Sequence, residues 1–142
     1  MSSLVPMRCM PLRLKPGQEL KTTLMHYVQD QKLKAAFIVT CVGSVLRATL
    51  RMANSKTITT FEGPFEIVSL VGTLSGGEGH LHISLSDKNG KVIGGHVIGD
   101  LDIYTTAEIV LGECENTSFL REYDSETGYD ELVVYHDEKA TA

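Results

Sequence analysis

The residues best suited to chemistry in this 142-residue chain are three histidines within one short stretch, Gly79-His80-Leu81-His82-Ile83-Ser84-Leu85-Ser86-Asp87-Lys88-Asn89-Gly90-Lys91-Val92-Ile93-Gly94-Gly95-His96. A neutral imidazole offers one ring nitrogen lone pair. Three of them converging on a point hold a metal at about 2.0–2.1 Å and leave a fourth position open, the arrangement zinc favours. Nickel, iron and copper also accept nitrogen donors, so the donor set prefers zinc without excluding them. A His-x-His pair alone is a weak signal. A third histidine at the hairpin partner position makes it a much stronger one.

Whether the three converge depends on the elements that carry them. Side chains alternate along a strand, so His80 and His82 share one face while Leu81, Ile83 and Leu85 take the other. The apolar set belongs to the core, which leaves the histidine face to solvent, a cleft or a partner subunit. Asp87-Lys88-Asn89-Gly90 suits a type I turn, with Asp first and Gly fourth. Followed by a left-handed Gly, that turn makes a three-residue hairpin loop, Lys88-Asn89-Gly90. Asp87 then faces Lys91, and His82 faces His96 on the same side as His80. A two-residue Asn89-Gly90 loop would slip the register by one and send His96 to the far face. In the first register the facing Cβ atoms lie about 4.5–5.5 Å apart. Gly94 and Gly95 leave room beside His96 for a bulge or a closely approaching ligand. The competing reading is three histidines hydrogen-bonded across a subunit interface. His26 and His136 stand alone and read as ordinary residues. A cupin is a rival for the His-x-His spacing, but the Glu its first motif needs and its second motif are both missing.

The rest of the chain supplies a scaffold. Val5 to Leu14 reads as a strand stopped by Lys15-Pro16-Gly17. Gln18 to Leu33 carries Leu20, Leu24, Tyr27 and Val28 at helical spacing, a single amphipathic helix covering one face of a sheet. Ala36 to Val42 reads as a strand broken by Gly43-Ser44. Val45 to Met52 follows, with Leu46, Ala48, Leu50 and Met52 on one face and Arg47, Thr49 and Arg51 on the other. Ile58 to Phe61 ends at Glu62-Gly63-Pro64, and Phe65 to Leu74 is a strong strand. His80 to Ser86, Lys91 to Ile98, Ile103 to Gly112 and Leu132 to His136 complete the set. The expected fold class is α+β (α/β), a curved, mainly antiparallel sheet with one main helix packed on it. Residues 1–142 form one domain, with a core from about 5 to 136.

Composition limits the functions. Hydrophobic residues at 42% and charged residues at 22% describe an ordinary globule and exclude a coiled coil or a disordered tail. Thirteen Lys+Arg against eighteen Asp+Glu give a net charge of −5 with histidine neutral. That balance repels phosphate backbones, and the absence of Trp removes the best base-stacking platform. Direct DNA binding is therefore not expected. Cys9, Cys41 and Cys114 are odd in number and sit among apolar or β-branched neighbours. They read as buried thiols in a reducing compartment. The N-terminus lacks a signal-peptide pattern and no apolar run reaches membrane-spanning length, so the expected location is intracellular, with no membrane partner.

Several ordered motifs resemble the domain conserved in plants and prokaryotes, known as the PPC domain. They are Leu14-Lys-Pro-Gly-Gln-Glu-Leu, Ala35-Ala-Phe-Ile-Val-Thr-Cys-Val-Gly-Ser, Gly63-Pro-Phe-Glu-Ile-Val-Ser-Leu-Val-Gly, and the histidine hairpin itself. The tail adds Thr105-Thr-Ala-Glu-Ile-Val, Phe119-Leu-Arg121 and Thr127-Gly-Tyr-Asp-Glu-Leu132. The resemblance spans residues 5 to 135 and implies a homotrimer, in which neighbouring subunits extend each other's sheets. It also supports His80, His82 and His96 as a metal site. The family's plant members place the domain behind an AT-hook, act in the nucleus and use the domain for protein–protein contacts, but this chain has no Arg-Gly-Arg-Pro hook. Two functions follow as expectations. One is a trimeric metal-binding protein, zinc by preference, with Glu66 and Glu108 as the carboxylates nearest in character to a supporting base. The other is a non-catalytic interaction or regulatory scaffold.

Overall fold

The computed structural model describes residues 2–137. Among them the chain forms one helix and eight strands: β1 (Met7–Leu14), α1 (Leu20–Asp30), β2 (Ala36–Arg51), β3 (Ile58–Thr73), β4 (His80–Ser86), β5 (Val92–Gly99), β6 (Ile103–Cys114), β7 (Thr117–Asp124) and β8 (Tyr129–His136). Every pairing is antiparallel. Six strands form one sheet in the order β1-β6-β2-β3-β4-β5, and β7 and β8 form a separate two-stranded ribbon. β2 is long enough, at 16 residues, to pair with β6 along its first half and with β5 at Thr49, Leu50 and Arg51. That last pairing closes β2, β3, β4 and β5 into a ring.

The ring strands supply much of the core, and β1 and β6 add Leu14, Ile103, Ile109 and Leu111. Leu50, Phe65, Ile67, Leu70, Leu81, Ile83, Leu85 and Val97 are all buried, and α1 adds Leu20, Leu24 and Val28 from its predicted stripe. Each such side chain contributes about 1.5–3 kcal/mol. Tyr27 stays at the surface. α1 starts where Glu19 Oε1 accepts from the Thr22 amide at 2.7 Å, while Glu19 Oε2 accepts from the Leu101 amide at 2.9 Å. One carboxylate thus caps the helix and ties it to the turn before β6.

Five expectations change. Gly43-Ser44 does not break β2. At Gly43, φ is +154° and a Cβ would stand 2.1 Å from the Thr106 carbonyl oxygen, so the glycine lets β6 approach while the register shifts. Glu62-Gly63-Pro64 likewise interrupts the β2–β3 register between Val45 and Arg47 without ending the strand. That irregularity turns Leu46 outward, 44% exposed, instead of onto the face shared with Ala48 and Leu50. Thr117–Asp124, unassigned from sequence, is the partner strand of Tyr129–His136. The cysteines are not buried thiols: Cys9 is exposed on β1, where only Leu14 is fully covered, and Cys41 and Cys114 are half-buried. All three are free, and desolvation pushes the Cys41 thiol up to about 12.

Candidate metal centre

The hairpin that carries the histidines closes in the register its turn demands. The Gly90 amide donates to the Asp87 carbonyl at 3.0 Å and the Asp87 amide to the Lys91 carbonyl at 2.9 Å. Gly90 takes φ +79°, and Asp87 Oδ1 accepts from the Asn89 and Lys91 amides at 2.8 and 2.9 Å. His82 therefore lies opposite His96. With Leu81, Ile83 and Leu85 buried, His80 and His82 are exposed and His96 is half-buried on the outer face. Ring centroids are 5.0 Å apart for His80 and His82, 5.3 Å for His80 and His96, and 5.6 Å for His82 and His96.

One nitrogen from each ring falls within 4.8 Å of the others. Tetrahedral ligands at 2.0–2.1 Å from a metal stand about 3.3 Å from one another, so the rings need to close by about 1.5 Å or less. Small side-chain rotations on an exposed face supply that. The donor set is purely imidazole, with no carboxylate in the close group, and suits zinc. The residues fit such a metal, which His80, His82 and His96 would hold.

The rows of the sheet show what surrounds the site. Arg51 on β2 pairs with His96, His96 with His82, and His82 with Val71 on β3. One row lower, His80 pairs with Thr73, whose Oγ1 accepts from Arg121 Nη2 at 3.0 Å. A cavity of about 540 Å³ is lined by the three histidines, Arg51, and Met52, Ala53 and Ser55 of the loop after β2. A smaller one of about 270 Å³ shares His80 and His82 and adds Thr73, Arg121, Glu131 and Leu132. Arg51, Arg121 and Glu131 were not anticipated. They reach the site through the β2–β5 closure and the β7–β8 ribbon.

Glu66 and Glu108 are not brought to the histidines. Both are exposed; Glu66 pairs with Ser86, at the opposite end of β4 from His80, and Glu108 pairs with Arg13 on β1. Glu131 is the carboxylate beside the site. Gly94 and Gly95 line the larger cavity beside His96, and they have a backbone reason as well. A Cβ at Gly94 would meet the Ile83 carbonyl oxygen at 2.6 Å, and one at Gly95 the Arg51 carbonyl oxygen at 2.9 Å. They let β4 and β2 close on β5. His26 is exposed on α1, and His136 is engaged by the Ser3 amide at 3.0 Å, as ordinary residues would be.

Burial, then the neighbouring Arg51 and the other two histidines, pushes His96 down to about 4, and burial and His82 lower His80. Both rings are neutral near pH 7, the form that binds metal. Between the ordinary histidine value of 6.5 and about 4, the unfolded chain holds a proton at His96 that the folded chain does not. Chelator-treated protein is therefore expected to lose stability as pH falls through that window and to be flat above it. Comparison with His96→Gln isolates this part: the parent's acid-side slope in urea midpoint should exceed the variant's. Equal slopes would refute the assignment.

A ringed, wholly antiparallel sheet with one helix packed by its Leu20, Leu24 and Val28 stripe, and three histidines on the outer face, defines a sheet-dominated α+β domain. The family model for the Plants and Prokaryotes Conserved (PCC) domain matches residues 1–115, and the chain belongs to that family. The chain is 41% identical over 135 residues to the bifunctional protein GlmU of a Synechococcus strain, covering 95% of this chain and 22% of that one. It is 30% identical over 110 residues to AT-hook motif nuclear-localized protein 8 of Arabidopsis thaliana, covering 71% and 28%. The chain thus spans about a fifth to a quarter of those relatives. A hypothetical protein from Salmonella cholerae-suis superposes with TM-score 0.91 at 39% identity, covering 94% of this chain and 97% of that one. A metal-containing protein from Archaeoglobus fulgidus superposes at 0.73 with 24% identity, covering 93% and 99%. Among the described residues, no helix is long and apolar enough to cross a membrane.

Proposed function

We propose that this chain is a metal-binding domain that works as a homotrimer, with zinc held by His80, His82 and His96. The observation that carries the reading is the convergence of three imidazole nitrogens within 4.8 Å on one sheet face. The metal-containing relative from Archaeoglobus fulgidus supports it by likeness of fold. A bound zinc supplies Lewis acidity at the open end of the site. A chain of this size buries enough apolar surface to fold without a metal staple, so the metal is expected to serve the site rather than the fold. Metal analysis of protein purified without chelator should find about one equivalent per chain at a tetrahedral site; a metal-free protein that stays metal-free in added zinc would refute the reading.

Self-association is supported by exposed surface. Val39, Val42, Val68, Val71 and Tyr104 on the sheet, and Leu120, Tyr123, Tyr129 and Tyr135 on the ribbon, are all between 44% and 71% exposed. An isolated two-stranded ribbon is marginal in water and gains from a neighbour. The number three follows from the family resemblance. Light scattering should give three times 15.6 kDa, and a monomer at micromolar concentration would contradict it.

A second reading, a non-catalytic scaffold for a protein partner, is favoured by the same exposed ribbon and by the occurrence of related sequence in proteins named as different as GlmU and an AT-hook protein. It requires that histidine variants keep the partner in a pull-down. With a net charge of −5, a salt-dependent shift of DNA is not expected.

A further inference from the structure

The chain is acidic, yet its histidine face is flanked by guanidinium groups that form no ion pair among the described residues. Arg8 and Arg47 each contact two carboxylates. Arg51 and Arg121 have no ion-pair partner among the described residues. Arg51 stands in the same cross-strand row as His96 and His82 and lines the larger cavity. Arg121 stands on the other flank, held by Thr73 Oγ1, and lines the smaller cavity with His80 and His82. Lys21 adds a third cation on the β5 side, its Nζ 3.5 Å from the Ile98 carbonyl oxygen. Glu131 is the one carboxylate lining either cavity. Its Oε1 accepts from Thr127 Oγ1 at 3.1 Å and makes no ion pair with Arg121.

We propose that the histidine face receives a small organic oxyanion, a carboxylate or a phosphate, whose charge is met by Arg51 on one flank and Arg121 on the other. A guanidinium presents two parallel N–H donors that match either group and stays charged at any working pH. A strand-borne arginine with no carboxylate partner keeps those donors available for a ligand. The larger cavity has the volume of a small-molecule site. Met52 and Ala53 offer an apolar wall to the rest of such a ligand, and Ser55 and Ser84 offer hydroxyls. The assignment deepens the metal reading, because a divalent ion on the histidines adds positive charge on the same face. It also rests on the arginines alone, since their placement does not depend on the ion.

Calorimetric titration of inorganic phosphate and of acetate separates the parts, run at constant ionic strength with chloride as control on cobalt-loaded and on metal-free protein. The absorption bands of the loaded protein provide an independent readout. Saturable binding of at least one anion is expected, with a change in the cobalt bands. Phosphate binding and acetate binding tell the two sources apart. Arg51→Gln and Arg121→Gln should each weaken it about tenfold or more. Arg51→Lys should lose less, and its melting curve verifies the fold. Cobalt uptake with no anion binding, or equal affinity in the glutamine variants, overturns the inference and leaves the metal reading standing. No cobalt uptake with arginine-dependent anion binding overturns the metal reading and leaves the inference standing.

Discussion

The His82→Ala/His96→Ala protein is expected to take up no metal while folding as its parent does. Changes to groups that merely orient a ligand cost about 10–100-fold in metal affinity, so removing two of three ligands should cost well over 100-fold. The fold survives because both side chains lie on the outer face, while Leu81, Ile83, Leu85 and Val97, which alternate with them, remain in the core. Competition against a chromogenic chelator measures the first effect, and circular dichroism with a urea melt measures the second. Parent-like metal affinity in the double variant would move the site away from the histidines. A collapsed melt would instead make the histidines part of the fold.

Gly72→Ala should be the most damaging small substitution near the site. Gly72 pairs with Leu81, takes φ +139°, and a Cβ there would stand 1.9 Å from the His80 carbonyl oxygen and 2.9 Å from its carbonyl carbon. Both obstacles are backbone, which cannot rotate away. Accommodating the methyl group means parting β3 from β4, at a cost of about 3 kcal/mol or more. Because β4 carries His80, the same displacement should weaken metal binding. Gly90→Ala is the comparison. Its φ is +79° with nothing within 4 Å, so only the backbone preference of about 1–2 kcal/mol is lost. Urea midpoints that fall equally in the two variants would show that the Gly72 approach yields freely.

The hairpin was legible because everything that sets its register is local. Asp87 and Gly90 choose the turn, the turn faces His82 with His96, and alternation with Leu81, Ile83 and Leu85 chooses the outer face. The larger architecture was only partly legible. Gly43-Ser44 and Glu62-Gly63-Pro64 resemble strand ends, since Gly and Pro usually punctuate. Here they sit where backbones approach closely, and the sheet runs through them with a shifted register. β7, with Phe119 and Leu120 among polar residues, lacks the pattern of a half-buried strand because its ribbon buries little.

The wider site was less legible still, for a related reason. Arg51 and His96 are brought together by ring closure between β2 and β5, and Arg121 and Glu131 by a ribbon near the C-terminal end. Neither pairing has a local sequence signal. Glu66 and Glu108 drew attention as carboxylates inside apolar strands, but alternation alone sends them outward at positions remote from the histidines.

Anomalous scattering at the zinc absorption edge, from crystals grown with added zinc, tests the central claim most directly. The account predicts one peak per chain, about 2.0–2.1 Å from one ring nitrogen each of His80, His82 and His96. No peak at these residues, or a peak held by other side chains instead, would contradict it.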